Sequence, residues 1–136
     1  MIIDANGAIL GRLASRVAKK LLKGEEIIII NAEKAIVSGN PRASIKIFLE
    51  KTQIGDPHKG PFYPRYPDKI IRRTVRGMLP YKREKGKKAL RRLKVYISSN
   101  NMKGEKICKD VKDLRTKYIT LGEICKRIGK YGKEKT

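Results

Sequence analysis

The chain has 136 residues, of which 34 are Lys or Arg and 13 are Asp or Glu, so its formal net charge is +21. This length suits one domain with its own core, and a hydrophobic content of 40% excludes a basic tail that is disordered throughout. A compact domain with such an excess of positive charge repels itself unless it binds a polyanion. Nucleic acid is therefore the first candidate partner, an anionic membrane the second and an acidic protein the third.

Secretion, membrane insertion and metal binding find little support in the sequence. Met1 leads directly into an apolar segment without the basic region of a secretory signal. The longest aliphatic run, Ile27–Ile30, falls far short of the ~20 residues that cross a membrane. Cys108 and Cys125 do not form a CxxC pair and one histidine cannot complete a zinc set, so we expect two reduced thiols and no cofactor, with a disulfide as the alternative.

The first 30 residues predict a strand, a helix and a second strand. Residues 2–5 read as a short strand, Asn6-Gly7 as a turn, and Gly24 as the residue that follows a helix. The run Ile27–Ile30 is β-branched without alternation, which is typical of a strand covered on both faces in a parallel sheet. The apolar positions of the intervening helix are Leu10, Leu13, Ala14, Val17, Ala18 and Leu21.

The middle of the chain predicts three helices separated by irregular segments. After a connection over residues 32–39, Asn40 and Pro41 read as the N-cap and first residue of a helix that runs to about residue 51. Prolines interrupt residues 53–67, so we expect a surface loop there. A second helix is predicted over residues 68–78, with Pro80 beyond it, and a short basic one over residues 87–92. The predicted inward side chains are Ile45, Phe48, Leu49, Ile71, Val75 and Met78.

The C-terminal third predicts strands at residues 93–98 and 118–119 and one more helix. Thr120 and Glu123 match a capping box, which predicts a helix over residues 121–128 ended by Gly129. Residues 130–136 read as a frayed tail. The order of elements predicts a single three-layer α/β domain with a small, mostly parallel sheet.

The positive charge is concentrated in one segment. Residues 59–94 hold 14 basic and 2 acidic side chains, which is +12 of the total of +21. A solvated surface usually mixes the two signs, and arginine grips phosphate in a bidentate way, so this segment predicts binding to a nucleic-acid backbone. Tyr63 and Tyr66 are candidates for stacking on unpaired bases, with a role as loop anchors as the alternative. The predicted RNA-binding residues are Arg65, Arg72, Arg73, Arg76, Lys82, Arg83, Lys85, Lys87, Lys88, Arg91 and Arg92, with Arg12 and Arg16 as second choices.

The first strand–helix turn is also where a nucleotide-dependent enzyme would bind phosphate. Gly7 and Gly11 form one GxxxG, and Glu33 follows at the spacing of a ribose-binding acid. Neither the GxGxxG nor the Walker pattern is present, since Arg12-Leu13 replaces Lys-Ser/Thr. We expect no catalysis and no small-molecule substrate.

Several motifs together resemble the universal large-subunit ribosomal protein thirteen family. The archaeal branch is the more similar, because Leu22-Lys23-Gly24 continues directly into Glu25, where bacterial members carry extra residues. The motifs are Ile3-Asp4-Ala5, Leu10-Gly11-Arg12-Leu13-Ala14-Ser15, Asn31-Ala32-Glu33-Lys34, Ser38-Gly39, Arg73-Thr74-Val75-Arg76-Gly77-Met78-Leu79-Pro80 and Ala89-Leu90-Arg91-Arg92-Leu93-Lys94-Val95-Tyr96.

The resemblance implies a three-layer α/β/α fold with a four-stranded parallel sheet. It also implies a cytoplasmic structural role in the large ribosomal subunit, with large-subunit rRNA and neighbouring ribosomal proteins as partners and an early part in assembly. A free regulatory RNA- or DNA-binding module is an alternative that the sequence separates poorly from this one.

Overall fold

The computed structural model describes residues 1–55, 58–60, 63–99, 101–107 and 116–129. Its five strands are short and its five α-helices carry most of the core. The elements are β1 (Ile2–Asp4), α1 (Leu10–Leu22), β2 (Ile27–Ile30), a 3-10 helix (Ala32–Lys34), β3 (Ile36–Ser38), α2 (Pro41–Gln53), α3 (Pro67–Gly77), α4 (Glu84–Arg91), β4 (Leu93–Val95), β5 (Tyr118–Thr120) and α5 (Leu121–Ile128).

The main sheet is parallel and has β2 at its centre. Ile29 of β2 lies beside Ile3 of β1 on one side and beside Val95 of β4 on the other. Ile3, Ile27 and Ile29 are fully buried, and with Leu93 they form one face of the sheet. The strand prediction from the β-branched run at residues 27–30 is confirmed.

Three helices share one core with the buried face of this sheet. Five of the six predicted apolar side chains of α1 are buried and Leu10 is half-buried, and α1 packs against both α3 and α4. Gly24 follows α1 with φ +95°, a left-handed conformation that glycine adopts without steric cost. Because the apolar stripe of α1 faces inward, its arginines lie on the outer side of the helix.

The predicted four-stranded sheet and three-layer arrangement are not confirmed. The main sheet has three strands, while β3 and β5 form a separate antiparallel pair in which Val37 lies opposite Ile119. Residues 36–38 were predicted as part of a connection, and that prediction is wrong, because they form β3. The sequence carries little signal for this strand, since it is short and its partner strand is distant in sequence. On the other face of the main sheet, Ile30 is buried, Ile28 is half-buried and Lys94 is exposed.

Some predicted helix details are also wrong. Leu49 and Met78 were predicted to face the core, but they are 37% and 43% exposed. The structure buries Ile70 beside Ile71. Met78 is exposed because it lies just beyond α3, which spans Pro67–Gly77. The helix α4 begins at Glu84, three residues before the predicted start.

The two cysteines cannot be compared, because Cys108 lies outside the described residues. Cys125 is a buried free thiol on α5. Burial raises the pKa of this thiol to about 12, and the negative charge of Asp68 adds to the shift. Cys125 is therefore protonated and unreactive at neutral pH. The predicted frayed tail at residues 130–136 and parts of the predicted loop, residues 56–57 and 61–62, also lie outside the described residues.

The N-cap of α2 provides a direct test of the local structure. The Asn40 side-chain oxygen accepts a hydrogen bond from the backbone N–H of Arg42 at 3.0 Å, and Pro41 is the first helical residue. We expect Asn40→Ala to lower the free energy of unfolding by about 1 kcal/mol, since an N–H group at the helix start loses its acceptor. Urea unfolding measures this change. Asn40→Asp keeps the oxygen and should unfold like the wild type, and equal losses in both variants would contradict the capping role.

Candidate RNA-binding surface

The helix α3 separates its apolar and basic side chains by position. Ile70, Ile71 and Val75 face the core and are fully buried. Arg73 and Arg76 are exposed on the outer side, where the guanidinium of Arg76 lies 4.2 Å from the centre of the Tyr81 ring. This cation–π contact fixes an arginine that would otherwise sample many rotamers.

The helix α4 lies close to the turn that connects it to α3. Gly86 and Ala89 form its buried side, and a Cβ atom at Gly86 would lie 2.8 Å from the backbone nitrogen of Tyr81. The turn itself is held by a hydrogen bond from the Arg83 N–H to the Pro80 carbonyl at 2.9 Å. Small residues on the inner side bring α4 close to the protein and leave its long cationic side chains outside.

Eleven of the thirteen predicted RNA-binding side chains are exposed. They belong to α1, to the loop before α3, and to the segment from α3 through α4. The exposed residues are Arg12, Arg16, Arg65, Arg73, Arg76, Lys82, Arg83, Lys85, Lys87, Lys88 and Arg91. Since α1 packs against α3 and α4, we treat these residues as one surface and call it the basic face.

Arg72 and Arg92 differ from the rest because they are half-buried and bind the protein's own backbone. Arg72 donates from Nη1 to the Leu93 carbonyl at 2.8 Å and from Nη2 to the Leu90 carbonyl at 3.3 Å. Arg92 donates from Nη2 to the Leu21 carbonyl at 2.6 Å. Arg72 thus ties α3 to β4, and Arg92 ties the end of α4 to α1, whereas any contact of either with RNA stays a prediction.

Arg16 has an internal contact as well, since its Nη1 donates to the carbonyl oxygen of Ile107. Its exposed guanidinium has five N–H groups, so donors remain for an outside partner. Arg12, one helical turn earlier, is exposed on the same side of α1.

The loop before α3, α3 itself and α4 meet at a shallow depression of about 210 Å³. Its walls include Pro64, Leu90 and four cationic side chains, Lys69, Arg72, Arg73 and Arg76. In the described part of the chain no acidic side chain lines it. Such a cluster of uncompensated positive charge attracts phosphate strongly.

The two tyrosines predicted for base stacking have different surroundings. Tyr63 is half-buried and meets Phe48 edge to face, with the ring centres 6.0 Å apart. Burial raises the pKa of its phenol, although the nearby Arg73 charge acts in the opposite direction. These contacts favour the loop-anchor alternative for Tyr63. Tyr66 is 42% exposed, with the Lys69 ammonium 5.4 Å from its ring centre, and its stacking role stays a prediction.

Two cations were missed by the sequence analysis. Lys69 belongs to the depression described above, and Lys51 of α2 lies 5.3 Å from the centre of the Tyr63 ring. Lys51 lies outside the basic segment at residues 59–94, so only the tertiary structure brings it beside Arg73. For Lys69 the signal was present, since it lies within that segment.

A larger groove of about 540 Å³ lies between α2, β5 and α5. Arg42, Arg127 and the exposed Tyr118 line it together with Glu123. Because its charge is mixed, this groove attracts phosphate less than the basic face does.

Two N–H groups of the first strand–helix turn, where a nucleotide-dependent enzyme would bind phosphate, are hydrogen-bonded within the protein. The N–H of Gly7 donates to the Lys34 carbonyl at 3.1 Å, and that of Ala8 to the Ala5 carbonyl at 3.0 Å. At the carboxyl ends of the parallel strands, the N–H of Asp4 donates to the Glu105 carbonyl and that of Ala32 to the Tyr96 carbonyl. These four backbone N–H groups therefore bind the protein's own carbonyl groups and are not available to a bound phosphate.

Within the described residues, no group of three or more His, Cys, Asp and Glu side chains is arranged to hold a metal ion. Among the helices in the same part of the chain, none has the length and apolar character of a membrane span.

The neighbouring arginines Arg72 and Arg73 provide a matched test of structural and surface roles. We expect Arg72→Met to lower the free energy of unfolding by about 2 kcal/mol, because two carbonyl groups lose a charged donor. Arg73→Met should change stability by less than about 1 kcal/mol, since it removes only an exposed cation–π contact. Chemical denaturation of both variants measures the difference. Equal stability of the two variants would contradict the structural role of Arg72.

Comparison with known proteins identifies the family. The model of the ribosomal protein L13 family matches residues 1–102 of the chain. The protein named large ribosomal subunit protein uL13 from Methanopyrus kandleri is 48% identical, over 94% of this chain and 86% of its own length. The proteins of the same name from Methanocaldococcus jannaschii and Thermoplasma acidophilum are 50% and 47% identical, over 94% and 96% of this chain and 96% and 98% of their own. The chain belongs to the ribosomal protein L13 family.

Proposed function

We propose that this protein is a structural, non-catalytic constituent of the large ribosomal subunit in the cytoplasm. Its whole length serves as a single rRNA-binding domain, and the basic face binds the phosphate backbone of large-subunit rRNA. The relatives named above are large-subunit proteins, which supports this assignment. Neighbouring ribosomal proteins are the second class of partner, and binding of the rRNA supports an early step of subunit assembly.

The main support for the proposal is that the exposed basic side chains lie on the opposite side of the helices from the buried apolar side chains. The helices α1, α3 and α4 bury apolar stripes against one another and the sheet, and their outer sides present eight of the eleven Arg and Lys side chains of the basic face. An RNA duplex presents regularly spaced phosphates that such a surface can neutralise without reading bases. Affinity then comes from backbone contacts and counterion release, with shape recognition setting the position.

Binding to large-subunit rRNA fragments across a salt series tests the proposal. Each phosphate neutralised contributes about 0.7–0.9 to the slope of log K against log salt, so ten contacts give a slope near −8. We expect a steep slope and a preference for one rRNA region over double-stranded DNA. A shallow slope with weak binding would contradict the proposal.

Sedimentation separates this function from that of a free regulatory module. A tagged form of the protein should co-sediment with large subunits and stay there in salt that strips loosely bound proteins. A protein found only in light, ribosome-free fractions would favour the regulatory alternative.

A further inference from the structure

A cavity of about 350 Å³ lies between the end of α2, the loop before α3, and α3. It is lined by Lys51, Ile54, Tyr63 and Arg73, and no acidic side chain lines it in the described part of the chain. Its volume is at the lower end of the range of about 300–1,000 Å³ found for small-ligand sites. It can therefore receive one nucleotide but not the stacked pairs of a duplex.

The cationic walls of the cavity are positioned by a shared aromatic ring. The Lys51 ammonium lies 5.3 Å and the Arg73 guanidinium 5.1 Å from the centre of the Tyr63 ring. Lys51 also lies 5.1 Å from the centre of the Phe48 ring. Two like charges held against one ring repel each other, and an anion between them relieves that repulsion. Both side chains are exposed, so a phosphate can reach their N–H groups.

The remaining wall of the cavity is apolar. Ile54 follows α2 directly and is 59% exposed, the largest value among the large apolar side chains of the described residues. Burying its exposed part is worth about 25 cal/mol per Å², which favours a flat apolar partner such as a nucleobase. Lys51 and Arg73 already lie against the Tyr63 ring, so the base would lie on Ile54 and reach only the edge of the tyrosine.

We propose that this cavity binds one unpaired rRNA nucleotide that projects from its helix. The base packs against Ile54 and the edge of Tyr63, and the phosphate lies between Lys51 and Arg73. This inference rests on the proposed function, since it assigns one base-level contact within a surface that otherwise binds phosphates. A single projecting nucleotide would add base-level information, which contacts to the phosphate backbone alone do not carry.

Ile54→Ser tests the proposal, with Ile47→Ser as the matched control. Ile47 lies on α2, is 52% exposed and is not among the residues that line the cavity, so both variants remove an exposed apolar side chain and leave the charge unchanged. We expect Ile54→Ser to weaken binding to the rRNA fragment about fivefold to tenfold, the lower end of the value of one base contact. The salt slope should stay the same, because no phosphate contact is lost.

Chemical probing of the RNA provides the second measurement. One unpaired nucleotide should be protected in the wild-type and Ile47→Ser complexes and reactive in the Ile54→Ser complex. If both variants bind as tightly as the wild type with the same protections, the cavity proposal is overturned while the proposed function stands. If the wild type itself binds without a steep salt slope, the proposed function fails. An effect of Ile54→Ser seen only in assembled subunits would assign the cavity to a neighbouring protein and overturn the proposal.

Discussion

Replacing Gly86 with alanine is expected to destabilise the protein by about 3 kcal/mol, because the added methyl group has no room. The new Cβ would overlap the backbone carbonyl of Pro80 and lie 2.8 Å from the nitrogen of Tyr81. Backbone atoms in a turn cannot rotate away as a flexible side chain does, so α4 has to move outward. That movement would strain the Arg92 bond to Leu21, which ties α4 to α1.

The matched control is Gly77→Ala. Gly77 is the last residue of α3, and no heavy atom lies within 4 Å of the position of its Cβ. Alanine is the better helix former, so this variant should be neutral or stabilised by up to about 1 kcal/mol. Urea unfolding followed by circular dichroism measures both variants. A Gly86→Ala protein as stable as Gly77→Ala would show that α4 does not pack against the Pro80 turn.

Removing four charges from α4 is expected to have the largest effect on RNA binding. In the quadruple variant, Lys85, Lys87, Lys88 and Arg91 are replaced by glutamine, which keeps a long side chain and a good helix propensity. All four side chains are exposed, so the fold should be retained. We expect the slope of log K against log salt to become less steep by about 3, because each lost phosphate contact releases one counterion fewer. The affinity for the rRNA fragment should fall on the order of 100-fold.

The control removes the same charge from other elements. Lys46, Lys103, Lys117 and Lys126 are also exposed and lie outside the basic face. Their replacement by glutamine gives the same net charge as the α4 variant and should change the slope by less than 1. If the two variants weaken binding equally, total charge rather than the basic face would determine affinity.

Local signals in the sequence predicted the helices well. The apolar spacing of α1, the Asn40-Pro41 start of α2 and the Thr120–Glu123 capping box all act within a few residues. The structure confirms each of them, with the Thr120 side chain accepting a hydrogen bond from the Glu123 N–H at 3.3 Å. Such interactions need no information from distant parts of the chain.

Features that depend on distant partners were predicted less well. The strand β3 has three residues and is defined by its pairing with β5, so its own sequence carries little signal. The four-stranded parallel sheet that the resemblance implied is not confirmed, since β5 pairs with β3 and not with the main sheet. Leu49 and Met78 were assigned to the core by helical spacing alone, and the neighbours needed to bury them are absent at those positions within the described residues.

The basic face was predicted from charge density, whereas the roles within it were not. Arg72 and Arg73 are adjacent residues of the same type, yet Arg72 binds backbone carbonyl groups and Arg73 is exposed. That difference depends on the direction of each side chain from α3. Lys51 and Arg73 are distant in sequence and line the same cavity only in the folded chain. No linear motif describes this pair, so the cavity beside Tyr63 could not be predicted from the sequence.

Ultraviolet cross-linking of the wild-type protein to large-subunit rRNA, with mass-spectrometric identification of the cross-linked peptides, tests the central claim most directly. The basic face predicts cross-links from the segment between Tyr63 and Arg92, including Arg73 and the exposed side of α4, and from the α1 peptide that carries Arg12 and Arg16. Cross-links confined to β5 and α5, with the peptides of α3 and α4 unmodified, would contradict it.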